Sequence, residues 1–136
     1  MGLALTVGAV ATGPLRPAEA AGDGAAMSRG FTFDEAGGAA LYAHVCVACH
    51  QADARGAIGA GAYPSLEANP SLASKDYVLG ILLEGRGAMP PLGRLMSDAQ
   101  VADVVTYLRS HFGNAFTDAT SAAEVADARA AKEPRP

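Results

Sequence analysis

The chain has 136 residues, the length of one domain. Half of it is hydrophobic by composition, yet 31 alanines supply much of that, only 6% is aromatic and tryptophan is absent, so the core is thin and needs a cofactor, a metal or disulfides to complete it. A net charge of −4, with ten scattered basic residues of which two are lysine, leaves no electrostatic footprint for nucleic acid, and no run of 18 apolar residues predicts a transmembrane segment.

In chain order, Leu3 to Thr12 form a short apolar run, followed by Gly13, Pro14 and Pro17. Ala18-Glu19-Ala20 then supplies the small residues of an A-x-A cleavage site, although no Lys or Arg precedes the run. Residues 1–20 are expected to be an export signal and residues 21–30 a flexible N-terminal arm. The mature chain is therefore expected to be exported.

Three helical patterns follow. Thr32-Phe33-Asp34-Glu35 has the form of a capping box with Phe31 as a staple, and predicts a helix to about Val45 with Leu41, Tyr42 and Val45 on one face. Ser74 caps the second, which carries Tyr77, Val78, Ile81 and Leu82 before Gly85 stops it. Ser97-Asp98-Ala99-Gln100 is a second capping box, and Val101, Val104, Val105, Leu108 and Phe112 recur at helical spacing up to Gly113. Residues 51–73 read as loop, and no alternation of period two predicts a strand. Beyond Gly113 the chain is alanine-rich. Ser121-Ala122-Ala123-Glu124 caps a short helix whose one large apolar residue is Val125, which reads as a surface tail. The expected class is all-α, with three main helices and one long loop.

Both cysteines of the chain lie in Cys46-Val47-Ala48-Cys49-His50, the C-x-x-C-H pattern of c-type haem attachment. Two thiols one helical turn apart can each add across a haem vinyl group, and the adjacent imidazole is then held against the ring as an iron ligand. A structural zinc site would need four ligands, and no second cysteine pair exists. A thioredoxin-like redox pair needs a βαβ setting, whereas the local pattern is helical. One haem c, covalently bound, is expected. For the sixth iron position the methionines are Met1, Met27, Met89 and Met96. The first two precede the domain. Met96 sits just before a helix N-cap, where packing explains it, and Met89 lies on a Gly-Pro loop that can approach the ring. His44 and His111 read as surface histidines. Arg55, Arg86 and Arg94 lie in loops expected to border the haem, where one or two could pair with propionates.

On these residues the chain resembles the class I monohaem cytochromes c, over residues 31–113, with 114–136 as a C-terminal extension. Gly38-Ala39-Ala40-Leu41-Tyr42 is similar to that family's N-terminal helix, where a small residue permits close crossing with the C-terminal helix and an aromatic backs the haem. Tyr107-Leu108 matches the other half of the crossing. Tyr63-Pro64-Ser65-Leu66 is similar to the loop whose proline carbonyl orients the proximal histidine, which gives Pro64 that role toward His50. Gly87-Ala88-Met89-Pro90-Pro91 looks like the segment presenting the distal methionine. The segment from Glu124 to Arg129 resembles haem subunits of bacterial periplasmic dehydrogenases. The resemblance implies the cytochrome c fold, thioethers at Cys46 and Cys49, and axial ligands His50 and Met89.

Such an iron has no open site, and a thioether ligand favours Fe(II), so electron transfer rather than catalysis is expected. Tyr77, Leu82 and Leu83 are expected to bury the ring. The expected partners are redox proteins, a dehydrogenase as donor and an oxidase or other acceptor, with the chain a monomer or a subunit of a dehydrogenase complex. The rival expectation is a peroxidase or gas sensor, which needs a vacant sixth position.

Overall fold

The computed structural model describes residues 32–59 and 61–132. The export signal, the N-terminal arm, the staple at Phe31 and the last residues of the extension lie outside that range.

The first helix starts later than its capping box predicts, and it ends later too. Segments Gly38–Leu41 (α), Tyr42–Cys46 (π) and Val47–His50 (α) run on without a break as one helix over 38–50, here α1. Thr32 does not cap it. The segment ahead of Gly37 uses its backbone elsewhere: the Gln100 side-chain amide donates to the carbonyls of Phe33 (2.8 Å) and Glu35 (2.9 Å), and Phe33 N–H donates to Leu95 O. The Glu35 carboxylate meets His44 Nδ1 at 2.9 Å, and that contact holds its pKa below the ordinary value. Gly37, at φ 85°, then turns the chain into the helix.

After α1 the long loop contains a two-stranded antiparallel hairpin, β1 (Ala57–Ile58) and β2 (Ala62–Tyr63). The all-α expectation is corrected by this small sheet. Strands of two residues, with Ile58 almost wholly exposed, leave no alternating pattern to read. A 3-10 turn, Pro70–Ala73, leads into α2 (Lys75–Glu84), which Ser74 caps and Gly85 ends, as the sequence predicts. A second 3-10 turn, Leu92–Leu95, precedes α3 (Asp98–Ser110), whose capping box between Ser97 and Gln100 forms in both directions. This helix closes at Ser110 instead of running to Gly113. Side chains take up the carbonyls of its last turns: Ser110 Oγ donates to Thr106 O, His111 Nδ1 lies 3.0 Å from Tyr107 O, and the Asn114 amide donates to Leu108 O. Phe112 then folds back, with its ring centroid 4.7 Å from that of Tyr42.

The core sits where α1 crosses α3. At Gly38 a Cβ would stand 2.5 Å from Tyr107 Cβ and closer still to the Asp103 carbonyl, so only glycine admits this approach. Leu41, Val101, Val104 and Val105 are fully buried around the crossing. A fourth helix, α4 (Ala122–Ala130), is capped by Ser121 and Glu124. It is not a surface tail. Val125 is fully buried in the same core, and Lys75 Nζ donates to Glu124 Oε1 at 2.9 Å. The chain is thus mostly helical, with four helices and one small hairpin among the described residues. None of these helices is long and apolar enough to cross a membrane.

Candidate haem site

The π turn over Tyr42–Cys46 sits immediately ahead of the C-x-x-C-H segment. A π turn inserts one extra residue and so rotates the following face of the helix relative to the preceding one. Leu41 and Tyr42 therefore serve the core, while Cys46, Cys49 and His50 line a cavity of about 440 Å³. Tyr42 does not line that cavity. Its hydroxyl donates to Gln51 O at 2.7 Å, and burial pushes its pKa up to about 12.

Cys46, buried, and Cys49, half-buried, lie three residues apart on one helix face and form no disulfide with each other. Burial, then the neighbouring Cys49, pushes the pKa of the Cys46 thiol up to about 11. His50 is buried, with its Nδ1 at 3.0 Å from Pro64 O. A carbonyl only accepts, so Nδ1 carries the proton and Nε2 keeps its lone pair for a metal. Pro64 is held in turn by the loop around it: Leu66 N–H donates to Ala54 O, and Asn114 Nδ2 to Leu66 O.

Met89 faces the same cavity from a tight turn. Arg86 and Met89 exchange both backbone hydrogen bonds, at 2.9 and 3.0 Å, across Gly87-Ala88. Gly85 (φ 76°) lies directly beneath, where a Cβ would come within 2.6 Å of Met89 O. The structure therefore brings Cys46, Cys49, His50, Pro64 and Met89 together on the wall of one cavity.

Among the described residues, none that lines the cavity is acidic and the one guanidinium there is that of Arg86. Arg86 Nη1 donates to Tyr77 Oη at 3.2 Å and its guanidinium lies 5.7 Å from the Tyr77 ring centroid. Arg55 instead pairs with Glu67, and neither it nor Arg94 lines the cavity. Tyr77 and Leu82 line it, but Leu83 packs against Gly93. Met96 is buried in the core away from the cavity, and His44 and His111 are exposed. The sequence reading missed Asn69, Leu72 and Leu92, which complete the wall, and the wholly buried Arg109. Arg109 Nε donates to Leu72 O at 2.9 Å and Nη2 to Asp118 Oδ1 at 2.7 Å, tying the extension to the loop below the cavity. No local pattern marks such a residue, since two of its acceptors are the backbone carbonyls of Leu72 and Ala73, more than thirty residues away in sequence.

Residues 34–108 match the family model described as cytochrome c oxidase, cbb3-type, subunit III. The chain belongs to this cytochrome c family. The cytochrome c domain is 38% identical over 93 residues to the fructose dehydrogenase cytochrome subunit of Gluconobacter japonicus, across 57% of this chain and 19% of that protein. It is 33% identical over 108 residues to the gluconate 2-dehydrogenase cytochrome c subunit of Pantoea cypripedii, across 71% of this chain and 24% of that protein. The chain thus spans about a fifth to a quarter of the length of these relatives. Membership makes residues 34–108 a haem-binding electron-transfer domain. The cavity fits that group chemically: two thiols for thioethers, an imidazole whose Nε2 is left for a metal, the Met89 thioether in the same wall, apolar sides, and a cation for carboxylates.

Proposed function

We propose that the chain holds one haem c through thioethers at Cys46 and Cys49, with His50 and Met89 as axial iron ligands, and works as an exported, periplasmic carrier of single electrons. The convergence of those four side chains and Pro64 on one cavity is the observation that supports this. When bound, the haem supplies a one-electron Fe(III)/Fe(II) couple. The residues of the chain supply the rest. Pro64 O fixes the His50 tautomer and makes the imidazole a stronger donor. Met89 would supply the iron with a soft, neutral sulfur, which favours Fe(II). The apolar wall, with Val78, Ile81 and Leu82 of α2, keeps water from the ring and acts in the same direction. Arg86, at the exposed rim beside the half-exposed Tyr77, offers a guanidinium to a propionate.

The proposed donor is a dehydrogenase and the acceptor an oxidase or other redox protein, because both relatives are named as cytochrome subunits of dehydrogenases. Removal of residues 1–20 as a signal belongs to the same proposal. The test is expression with export and haem attachment. The purified chain should retain one haem under acidic organic extraction, Cys46→Ala and Cys49→Ala should each leave a single thioether, and the double variant should release its haem. Retained haem in the double variant would refute the attachment.

A further inference from the structure

We propose that Arg129, on the C-terminal helix, is a positioning residue for the distal ligand: it pins the segment that follows Met89 and so sets how readily the sixth iron position opens. The inference rests on the Met89 ligation proposed above.

Arg129 lies in the last turn of α4 and is about two-thirds buried. Its Nε donates to Asp98 Oδ1 at 2.7 Å, and its Nη2 donates to Gly93 O at 2.8 Å and to Met96 O at 2.9 Å. Gly93 lies within the second 3-10 turn, Met96 closes it, and Asp98 opens α3. One guanidinium therefore joins the exit of the distal segment to the start of the helix that crosses α1. On its other side that turn is pressed against α2, since a Cβ on Gly93 would stand 2.8 Å from Leu83 Cδ2 and 2.9 Å from Leu82 O. Leu92, in the same turn, lines the cavity with Met89 and Pro90. The helix carrying Arg129 is anchored independently of these bonds, by Val125 in the core and by ion pairs from Lys75 to Glu124 and from Lys132 to Glu84.

An added ligand reaches a six-coordinate iron only when the methionine leaves and its segment gives way, a local opening whose population falls with each bond that must break. Charge-assisted hydrogen bonds from a guanidinium are the stronger kind. The C-terminal extension thus acts as a brace on the distal face, with Arg129 as its contact.

The experiment is stopped-flow binding of imidazole to the ferric holoprotein, with the near-infrared sulfur-to-iron band and far-ultraviolet circular dichroism recorded for each variant. Arg129→Ala should bind imidazole roughly tenfold faster or more than the parent chain, and Arg129→Lys should lie between them. Val125→Ala removes packing beneath the same helix but leaves the Arg129 guanidinium and its three acceptors in the chain, and should stay within about twofold of the parent rate. Should Arg129→Ala fail to fold, Arg129→Lys against Val125→Ala carries the same comparison. A rate unchanged in the Arg129 variants, with the band present in the parent chain, would overturn the brace alone. Equal acceleration by Val125→Ala would overturn it as well, because general loosening would then suffice. A parent chain that lacks the band would remove the Met89 ligation and the brace together.

Discussion

His50 Nδ1 lies 3.0 Å from the carbonyl oxygen of Pro64, fourteen residues along the chain and across the hairpin loop. That single contact decides which imidazole nitrogen is available to a metal. Pro64→Ala keeps the carbonyl but frees the backbone that aims it, at a cost of about 1 kcal/mol in that hydrogen bond. The haem should stay attached, while the Nδ1 proton exchanges faster with solvent. Hydrogen exchange of that proton, followed by NMR in the ferrous protein, measures the change, and an unaltered exchange rate would separate the loop from the tautomer.

Met89 and Met96 divide ligation from packing. Met89→Ala should abolish the near-infrared band, open the iron to cyanide or carbon monoxide, and lower the potential. Met96, buried in the core, should keep the band when changed to alanine and lose about 2–5 kcal/mol of stability. Denaturant titration and one spectrum of each variant check both. Loss of the band in Met96→Ala alone would move the ligand to Met96. Absence of the band from the parent chain itself would bring the open-site reading back.

Gly38→Ala places a methyl group against the Asp103 carbonyl and Tyr107 Cβ. Backbone cannot rotate away as a side chain can, so the helices must part, at about 1–3 kcal/mol. The thermal midpoint should fall while the visible spectrum of the folded fraction is retained. An unchanged midpoint would show that the crossing has room to spare.

The α4 anchor carries a pH dependence of defined sign. Hydrogen bonding from Lys75, then from the Ser121 backbone and hydroxyl, lowers the Glu124 pKa from 4.5 to about 2, and Arg109 lowers that of Asp118. A carboxyl whose folded pKa lies below its unfolded one contributes stability above the unfolded value and loses it as pH falls through the folded value. The Glu124 contribution should therefore be complete above about pH 4.5 and fade toward pH 2. Chemical denaturation across that window should show a shallower decline in Glu124→Gln than in the parent chain. Equal slopes would mean that Lys75 is not tied to Glu124 in solution.

The C-x-x-C-H segment, the capped starts of α2 and α3, and the Gly-Pro setting of Met89 are all legible in the sequence. Each is a local matter: two thiols one turn apart, a serine hydroxyl over the first amides, a turn stiffened by its own residues. Tertiary structure decided the rest. Glu35 lost its place in a capping box because Gln100, far along the chain, took the Phe33 and Glu35 carbonyls. Val125 reads as a lone apolar residue in an alanine-rich stretch, and only the groove between α2 and α3 makes it core. Leu83 and Leu82 are neighbours in sequence, yet one meets Gly93 and the other the haem cavity, because the turn after Met89 packs on one side of α2. Arg129 shows no local pattern at all, since its three acceptors lie more than thirty residues away and two of them are backbone carbonyls that carry no residue code.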